Sequence, residues 1–244
     1  MGRRQTGFTL IELLVVVAII AILAAMMMPV YLEAKQASQR AGCQSNLAQI
    51  AKAFESYTSD YDGCYPYRPD MMDGATPAGE SLWQGRFWRW ALKKYVGYTP
   101  SYDAADPRGA KQSTHAWSSI LRCPGDPTPG DVYDGTSYGY SAAFYHTPDQ
   151  INAMKLPQLY TEPDQPMSVV KTGDVKYPTK KALVADWLSH TRDKSTWWTW
   201  GGARNYLLAD GHVVYLDSKR IQPAVDGYPD INLTRNGVHG KDLY

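Results

Sequence analysis

The chain opens on seven polar or small residues, Met1–Gly7, and then turns apolar. From Leu13 to Met28 sixteen consecutive residues are apolar, and in the 21 residues from Phe8 to Met28 the only charge is Glu12. A helix rises about 1.5 Å per residue, so roughly 20 apolar residues cross the ~30 Å hydrocarbon layer of a bilayer. The run therefore has the length of one membrane span, and no second run of comparable length follows. Beyond Pro29 the pattern becomes periodic. Cys43, Leu47, Ile50, Phe54 and Tyr57 recur at steps of four, three, four and three, while Lys35, Gln39, Arg40, Gln44, Lys52 and Glu55 fill other faces. This spacing predicts that the helix continues to about Thr58 as an amphipathic element with its stripe against a folded head. Asp62-Gly63 and Pro66 supply the stop.

The head is expected to be α+β. Residues 62–82 read as loop. Leu82–Val96 reads as a short helix with an aromatic face built from Trp83, Phe87, Trp88, Trp90, Leu92 and Tyr95. Residues 97–137 read as long loops, and Tyr138–Tyr145 and Lys181–Trp187 as strands. Tyr206–Leu208 and Val213–Leu216 flank Asp210-Gly211, which predicts a β-hairpin with a two-residue turn at positive φ. A small antiparallel sheet packed on the Cys43–Tyr57 stripe is the expected core.

Charge then narrows the function. Lys and Arg number 25, Asp and Glu 24, for a net charge of +1. Nucleic-acid binders carry a basic excess, so no nucleic-acid partner is expected. Arg3 and Arg4 precede the apolar run, which places that flank in the cytoplasm and the head outside. A cleaved secretory signal is the competing reading. Its apolar core is usually ~7–15 residues long and is removed; here the run is longer, carries an acid at its start and continues into a helical pattern.

The tract GFTLIELLVVVAIIAILAAMMMPVYLEA resembles the N-terminus of type IV pilins and type II secretion pseudopilins, and the match extends over about 60 residues through NLAQIAKAFESYTSDYDGCYP. The resemblance implies a pilin-like fold, with a long helical spine packed on a small sheet. It implies a leader, residues 1–7, cut after Gly7 by a prepilin peptidase that then N-methylates Phe8. It implies a transmembrane and filament-core helix over 8–29, an amphipathic helix over 30–60 and an extracytoplasmic head over 61–244. It assigns Glu12 as the acid that meets the α-amino group of Phe8 in a neighbouring subunit; the alternatives are that Glu12 snorkels to the headgroups or pairs with its own N-terminus. Pro29 is either a point where the helix melts during assembly or a static kink. The implied partners are identical or related pilin subunits, the peptidase, an inner-membrane assembly platform and membrane lipid before assembly.

The head resembles a narrower pilin-like group in Cys123-Pro124-Gly125-Asp126, Ser137-Tyr138-Gly139-Tyr140 and Asp210-Gly211-His212, but Trp200 stands where that group has a histidine. On the exported side disulfides persist. Cys64 and Cys123, each beside a proline or a loop start, are the candidates for one, and Cys43 is expected to be a buried thiol. Asp126, Asp131 and Asp134 have the composition of a calcium loop without its ligand spacing, so calcium is the weak candidate among cofactors and none is otherwise expected. Asp186, His190, Asp210 and His212 could converge at one end of the sheet, though strand-end and turn roles account for them. No phosphate loop, GxSxG tract or triad is present, so no enzyme is expected. The expected function is a structural subunit of a type IV pilus or type II secretion pseudopilus. The second reading is a minor pilin or adhesin whose aromatic tract, Trp197-Trp198-Thr199-Trp200, binds a surface, glycan or secretion substrate.

Overall fold

A computed structural model describes residues 9–67, 88–97, 119–127, 136–154, 167–191 and 201–244. The chain's contacts divide it into two units, residues up to Gln39 and Arg40–Tyr244, which are described separately. Helix α1 runs Leu10–Asp60 with Pro29 inside it. It stops where the sequence predicts. Asp62 and Gly63 take positive φ (51° and 77°), and the Gly63 N–H returns to the Thr58 carbonyl at 2.8 Å. A left-handed residue after the last turn satisfies carbonyls that would otherwise lack donors.

Within the head, the buried residues of α1 are Cys43, Leu47, Ile50, Ala53, Phe54 and Tyr57, which is the predicted stripe with Ala53 added. Against it lies a four-stranded antiparallel sheet in the order β1-β2-β3-β4, with β1 Tyr138–Tyr140, β2 Ala182–Asp186, β3 Ala203–Leu208 and β4 Val213–Asp217. Tyr138, Tyr140, Leu183, Val184 and Leu207 join the α1 stripe in one core. Ala182, Ala185, Tyr206 and Leu208 join Ile221 and Ile231 in a second. The two central strands are thus covered on both faces, and β3 carries Arg204 and Asn205 buried beside its apolar residues. Aromatic packing fixes the small helix α2 (Trp88–Ala91), followed by α3 (Lys93–Val96). The Phe54 ring stacks on Trp88 at 5.6 Å and meets Tyr140 at 5.5 Å. The N-terminal part of the predicted aromatic helix, with Trp83 and Phe87, lies outside the described residues.

Two local expectations are corrected. Tyr138–Tyr145 is not one strand: it ends at Tyr140, and Ala142–Phe144 forms a 3-10 turn. Ser141 breaks it. Its hydroxyl accepts from the Ala143 N–H and donates to the Ile231 carbonyl at 2.6 Å, a local side-chain bond that competes with the ladder. The β3–β4 hairpin has a three-residue loop, Ala209-Asp210-Gly211, closed by the Leu208 N–H on the His212 carbonyl at 2.8 Å. Only Gly211 has positive φ, at 90°. A turn closed by the Gly211 N–H on the Leu208 carbonyl, followed by a left-handed glycine, is the usual form of such a loop.

The C-terminal segment is tied to the sheet by a buried ion pair, Lys181 Nζ to Asp242 Oδ2 at 2.9 Å. The same carboxylate accepts from the Ala182 N–H at 2.8 Å and the Thr234 hydroxyl at 2.5 Å, and Lys181 also donates to Thr234. Burial lowers the Lys181 pKa against the pull of Asp242. Nearby, Asp230 caps the turn Ile231–Leu233. Its Oδ1 accepts from the Asn232 N–H at 2.8 Å and from Asn232 Nδ2 at 3.0 Å, while its buried Oδ2 finds no hydrogen bond among the described residues. Burial pushes this carboxyl up to about 7.

An acid raised in the fold from an unfolded value of about 4 holds its proton between those limits while the unfolded chain releases it, so stability falls as pH rises through that window. We expect Asp230→Asn to remove up to about 4 kcal/mol of that fall. Chemical denaturation of both chains across pH 4 to 7 measures it; parallel profiles would refute it.

Candidate functional site

Residues 10–37 of α1 are exposed along their whole length. The segment is helical for reasons of its own sequence. Thr9 accepts from the Glu12 N–H at 3.3 Å, and Glu12 Oε2 accepts from the Thr9 N–H at 2.8 Å and the Thr9 hydroxyl at 2.5 Å. This reciprocal capping box satisfies two N-terminal donors. The signal for it was in the sequence as Thr9-Leu10-Ile11-Glu12, and the expectation for Glu12 overlooked it: within one chain the carboxylate is occupied by its own helix start. After it come Leu, Ile, Val, Ala and Met on every face. Leu10 is 82% exposed, Ile11 70% and Met26 and Met27 69%. α1 is long and apolar enough to cross a membrane, and none of its most apolar window is covered by the rest of the chain. A helix apolar all round is stable only when something else buries it.

Pro29 is exposed, and the helix passes through it without interruption. Proline lacks the N–H that would reach Ala25 and crowds that turn, which weakens the helix there, yet the helix is continuous through it. Gly7 and Phe8 lie outside the described residues.

The disulfide expectation is corrected. Cys123 bonds Cys43, with Cα atoms 4.7 Å apart and a sequence separation of 80, and Cys64 is free. Cys64 instead forms an isolated bridge to Lys171 at the end of the α1 stop. Cys43 is buried, as expected, but as half of a cross-link. Its neighbour Gly42 explains the approach: a Cβ there would meet the Pro124 ring at 3.0 Å.

Of the calcium candidates, Asp126 accepts from the Ser137 hydroxyl at 2.6 Å, a loop-to-strand tie; Asp131 and Asp134 lie outside the described residues, as does the Trp197–Trp200 tract. Asp186, His190, Asp210 and His212 do not converge. They form two pairs at opposite ends of β3. Asp210 Oδ2 meets His212 Nδ1 at 2.7 Å on the exposed hairpin. Asp186 Oδ2 meets His190 Nε2 at 2.7 Å in the interior. The second pair lies beside the disulfide: Cys123 Sγ is 3.8 Å from His190 Nε2.

Comparison with known proteins places these features. Residues 2–28 match the Prokaryotic N-terminal methylation motif, and residues 33–192 match the family described as Protein of unknown function (DUF1559). The chain is 34% identical over 67 residues to the ComG operon protein 3 homolog of Bacillus licheniformis, a match covering 28% of this chain and 69% of that protein. It is 42% identical over 59 residues to the Type IV major pilin protein PilA of Myxococcus xanthus, covering 24% of this chain and 27% of that one. No solved structure matches it.

The cross-link closes a loop of about 80 residues, and constraining the unfolded chain on that scale contributes roughly 2–4 kcal/mol. We expect Cys123→Ser to lose that stability under non-reducing conditions and Cys64→Ser to lose none. Denaturant midpoints of the two variants check this; equal losses would refute the assignment.

Proposed function

The chain belongs to the DUF1559 family of type IV pilin-like proteins, and on that premise we propose that it is made as a precursor, cut after Gly7, N-methylated on Phe8 and polymerised through α1 into a type IV pilus or a type II secretion pseudopilus. It is a pilin-type structural subunit and not an enzyme, and its apolar helix anchors it to a membrane. The finer roles follow from physical chemistry. Residues 1–7 serve as leader, 8–29 as span and filament core, 30–60 as the helix that carries the head, and 61–244 as the head outside the membrane. Arg3 and Arg4 hold the leader on the cytoplasmic side.

The observation that carries the reading is the uncovered apolar surface of Leu10–Leu32. Burying a Leu, Ile or Val side chain contributes roughly 1.5–3 kcal/mol relative to water. Lipid supplies that burial before assembly, and the helices of neighbouring subunits supply it afterwards. In lipid no hydrophobic gain separates one home from the other, so packing and polar contacts choose between them.

Glu12 is the polar contact. A carboxylate at membrane depth costs roughly 2.5–3.5 kcal/mol on insertion scales. Cleavage after Gly7 frees the α-amino group of Phe8, four residues before Glu12 and next to its capping partner Thr9. Pairing this cation with Glu12 of a neighbour lowers the cost of burying either charge. Since Glu12 is already engaged by Thr9, the exchange keeps one set of hydrogen bonds and adds a counter-ion. Pro29 provides the turn at which α1 changes shape as it leaves the bilayer. The assembly platform and the peptidase are the machinery this route needs.

Two outcomes test it. Glu12→Ala is expected to insert and be cleaved normally yet to assemble poorly, since an unpaired buried amine costs about 3–5 kcal/mol; sheared surface material viewed by electron microscopy reads the loss, and filaments in normal number would overturn the pairing. Gly7→Glu is expected to retain the leader, so mass spectrometry of the native N-terminus should find the uncut precursor. A chain beginning at methylated Phe8 in that variant would contradict the processing site.

A further inference from the structure

We propose that Cys43, Cys123, Asp186 and His190 are the ligands of a single zinc ion, bound when the two cysteines are thiols, so that the junction between α1 and the sheet has a metal-closed state as well as a disulfide-closed one. The inference rests on the head alone and is independent of the polymerisation reading.

Four separate parts of the head supply the four side chains: α1, the turn after the Ser119–Leu121 helix, the end of β2 and the loop leading to β3. One ligand atom from each lies within 4.8 Å of all the others. Cys43 is 0% exposed, Cys123 5% and Asp186 2%, and the His190 side chain is 6% exposed. The backbone aims them: the His190 N–H donates to the Ala203 carbonyl at 2.8 Å and the Trp187 N–H to Ser137 at 2.9 Å. A Cβ at position 125 would stand 3.2 Å from the His190 ring, so Gly125 lets the Cys-Pro-Gly-Asp turn close over the histidine.

Hydrogen bonding in the metal-free cluster is mismatched. His190 Nε2 faces Asp186 Oδ2 at 2.7 Å, which calls for a proton on the ring nitrogen. It also faces the Asn205 side-chain amide nitrogen at 3.1 Å, which calls for a lone pair. One nitrogen cannot meet both demands at once. The buried Asp186 Oδ1 finds no hydrogen bond among the described residues. A cation at the point of convergence takes the lone pairs of Nε2 and of the carboxylate, and leaves Asn205, whose N–H and Nδ2 donate to Asp186 at 3.0 and 2.7 Å, as the group that orients the ligand. The Gly125 N–H, 3.3 Å from Cys123 Sγ, supports a thiolate in the same manner. A cavity of about 10 Å³ lined by Cys123, Asp186 and His190 adjoins the cluster, room for roughly one water-sized sphere. Two sulfurs, one imidazole and one carboxylate in tetrahedral reach suit Zn²⁺ and not the hard cations Ca²⁺ or Mg²⁺.

The two states compete for one pair of thiols. Oxidation removes two protons and two electrons, the electrons passing to the disulfide of an exported thiol oxidant, which leaves as a dithiol. Zinc binding removes the two protons alone and leaves sulfur in its reduced state.

The test uses the full chain in detergent micelles, reduced with a phosphine and titrated with Co²⁺ and then Zn²⁺. One Co²⁺ per chain is expected, with thiolate-to-cobalt charge transfer and tetrahedral ligand-field bands that Zn²⁺ abolishes. The bands should be absent from the oxidised chain and from Cys43→Ser, Cys123→Ser and His190→Gln, weakened in Asp186→Asn, and unchanged in Cys64→Ser. If reduction alone unfolds the head, Zn²⁺ should restore a cooperative melt to the wild-type chain and not to His190→Gln. Absence of both the bands and the restored melt overturns the site, as does a charge-transfer band of full strength in His190→Gln.

Discussion

The structure depends on an imbalance: a helix whose first half is apolar on every side and, among the described residues, left uncovered. Water cannot be the final neighbour of Leu10–Leu32. The chain has no second apolar element of that length to fold over it, so burial must come from lipid or from other molecules. Everything else in the chain can be read as a consequence. The second half of α1 carries its apolar residues on one stripe because that half meets the head. Glu12 sits at the start, where its carboxylate caps the helix through Thr9. The head is joined to the helix by packing, aromatic stacking and a covalent cross-link, so that the helix can change its surroundings without losing what it carries.

Much of this was legible in the residues. The apolar run, the stripe from Cys43 to Tyr57, the stop at Asp62-Gly63 and the two strands around Asp210-Gly211 all rest on local patterns that one stretch of sequence states completely. The capping box is equally local, in Thr9 and Glu12, and it occupies within one chain the carboxylate whose place in an apolar run points to a distant partner. What was hidden depends on contacts between remote segments. Cys43 looked like a small hydrophobe because its spacing on the stripe is that of a core residue; nothing near it reveals that Pro124 and Cys123 pack against Gly42 and itself. Cys64 has the loop position of a disulfide partner, but its place at the helix stop puts it on Lys171. The strand from Tyr138 ended early because Ser141 finds a carbonyl 90 positions away. Asp186 and His190 carried no motif at all, being four apart on a strand end and a loop, and they separate from Asp210 and His212 only once the sheet register is known.

The head also shows how polar groups are placed in a small sheet with both faces covered. Lys181, Asp242 and Thr234 form one satisfied network that holds the C-terminal segment to the start of β2. Asp230, by contrast, is buried with one oxygen unmatched among the described residues. The first arrangement locks register at little net gain over an apolar equivalent, since desolvation of a buried pair offsets much of its attraction. The second makes the same region sensitive to proton concentration.

The Cys43–Cys123 link has a mechanical meaning. A thread made of such chains carries tension along its helical axis, while drag from the surroundings acts on the heads. Those forces meet where each head is fastened to its spine. Stacked rings and apolar contact resist slow thermal opening but yield progressively under peeling. A covalent rivet on the buried face of α1 forces the load to be shared across the whole contact at once, so a head would have to break a bond, and not merely unzip, before it could be stripped away.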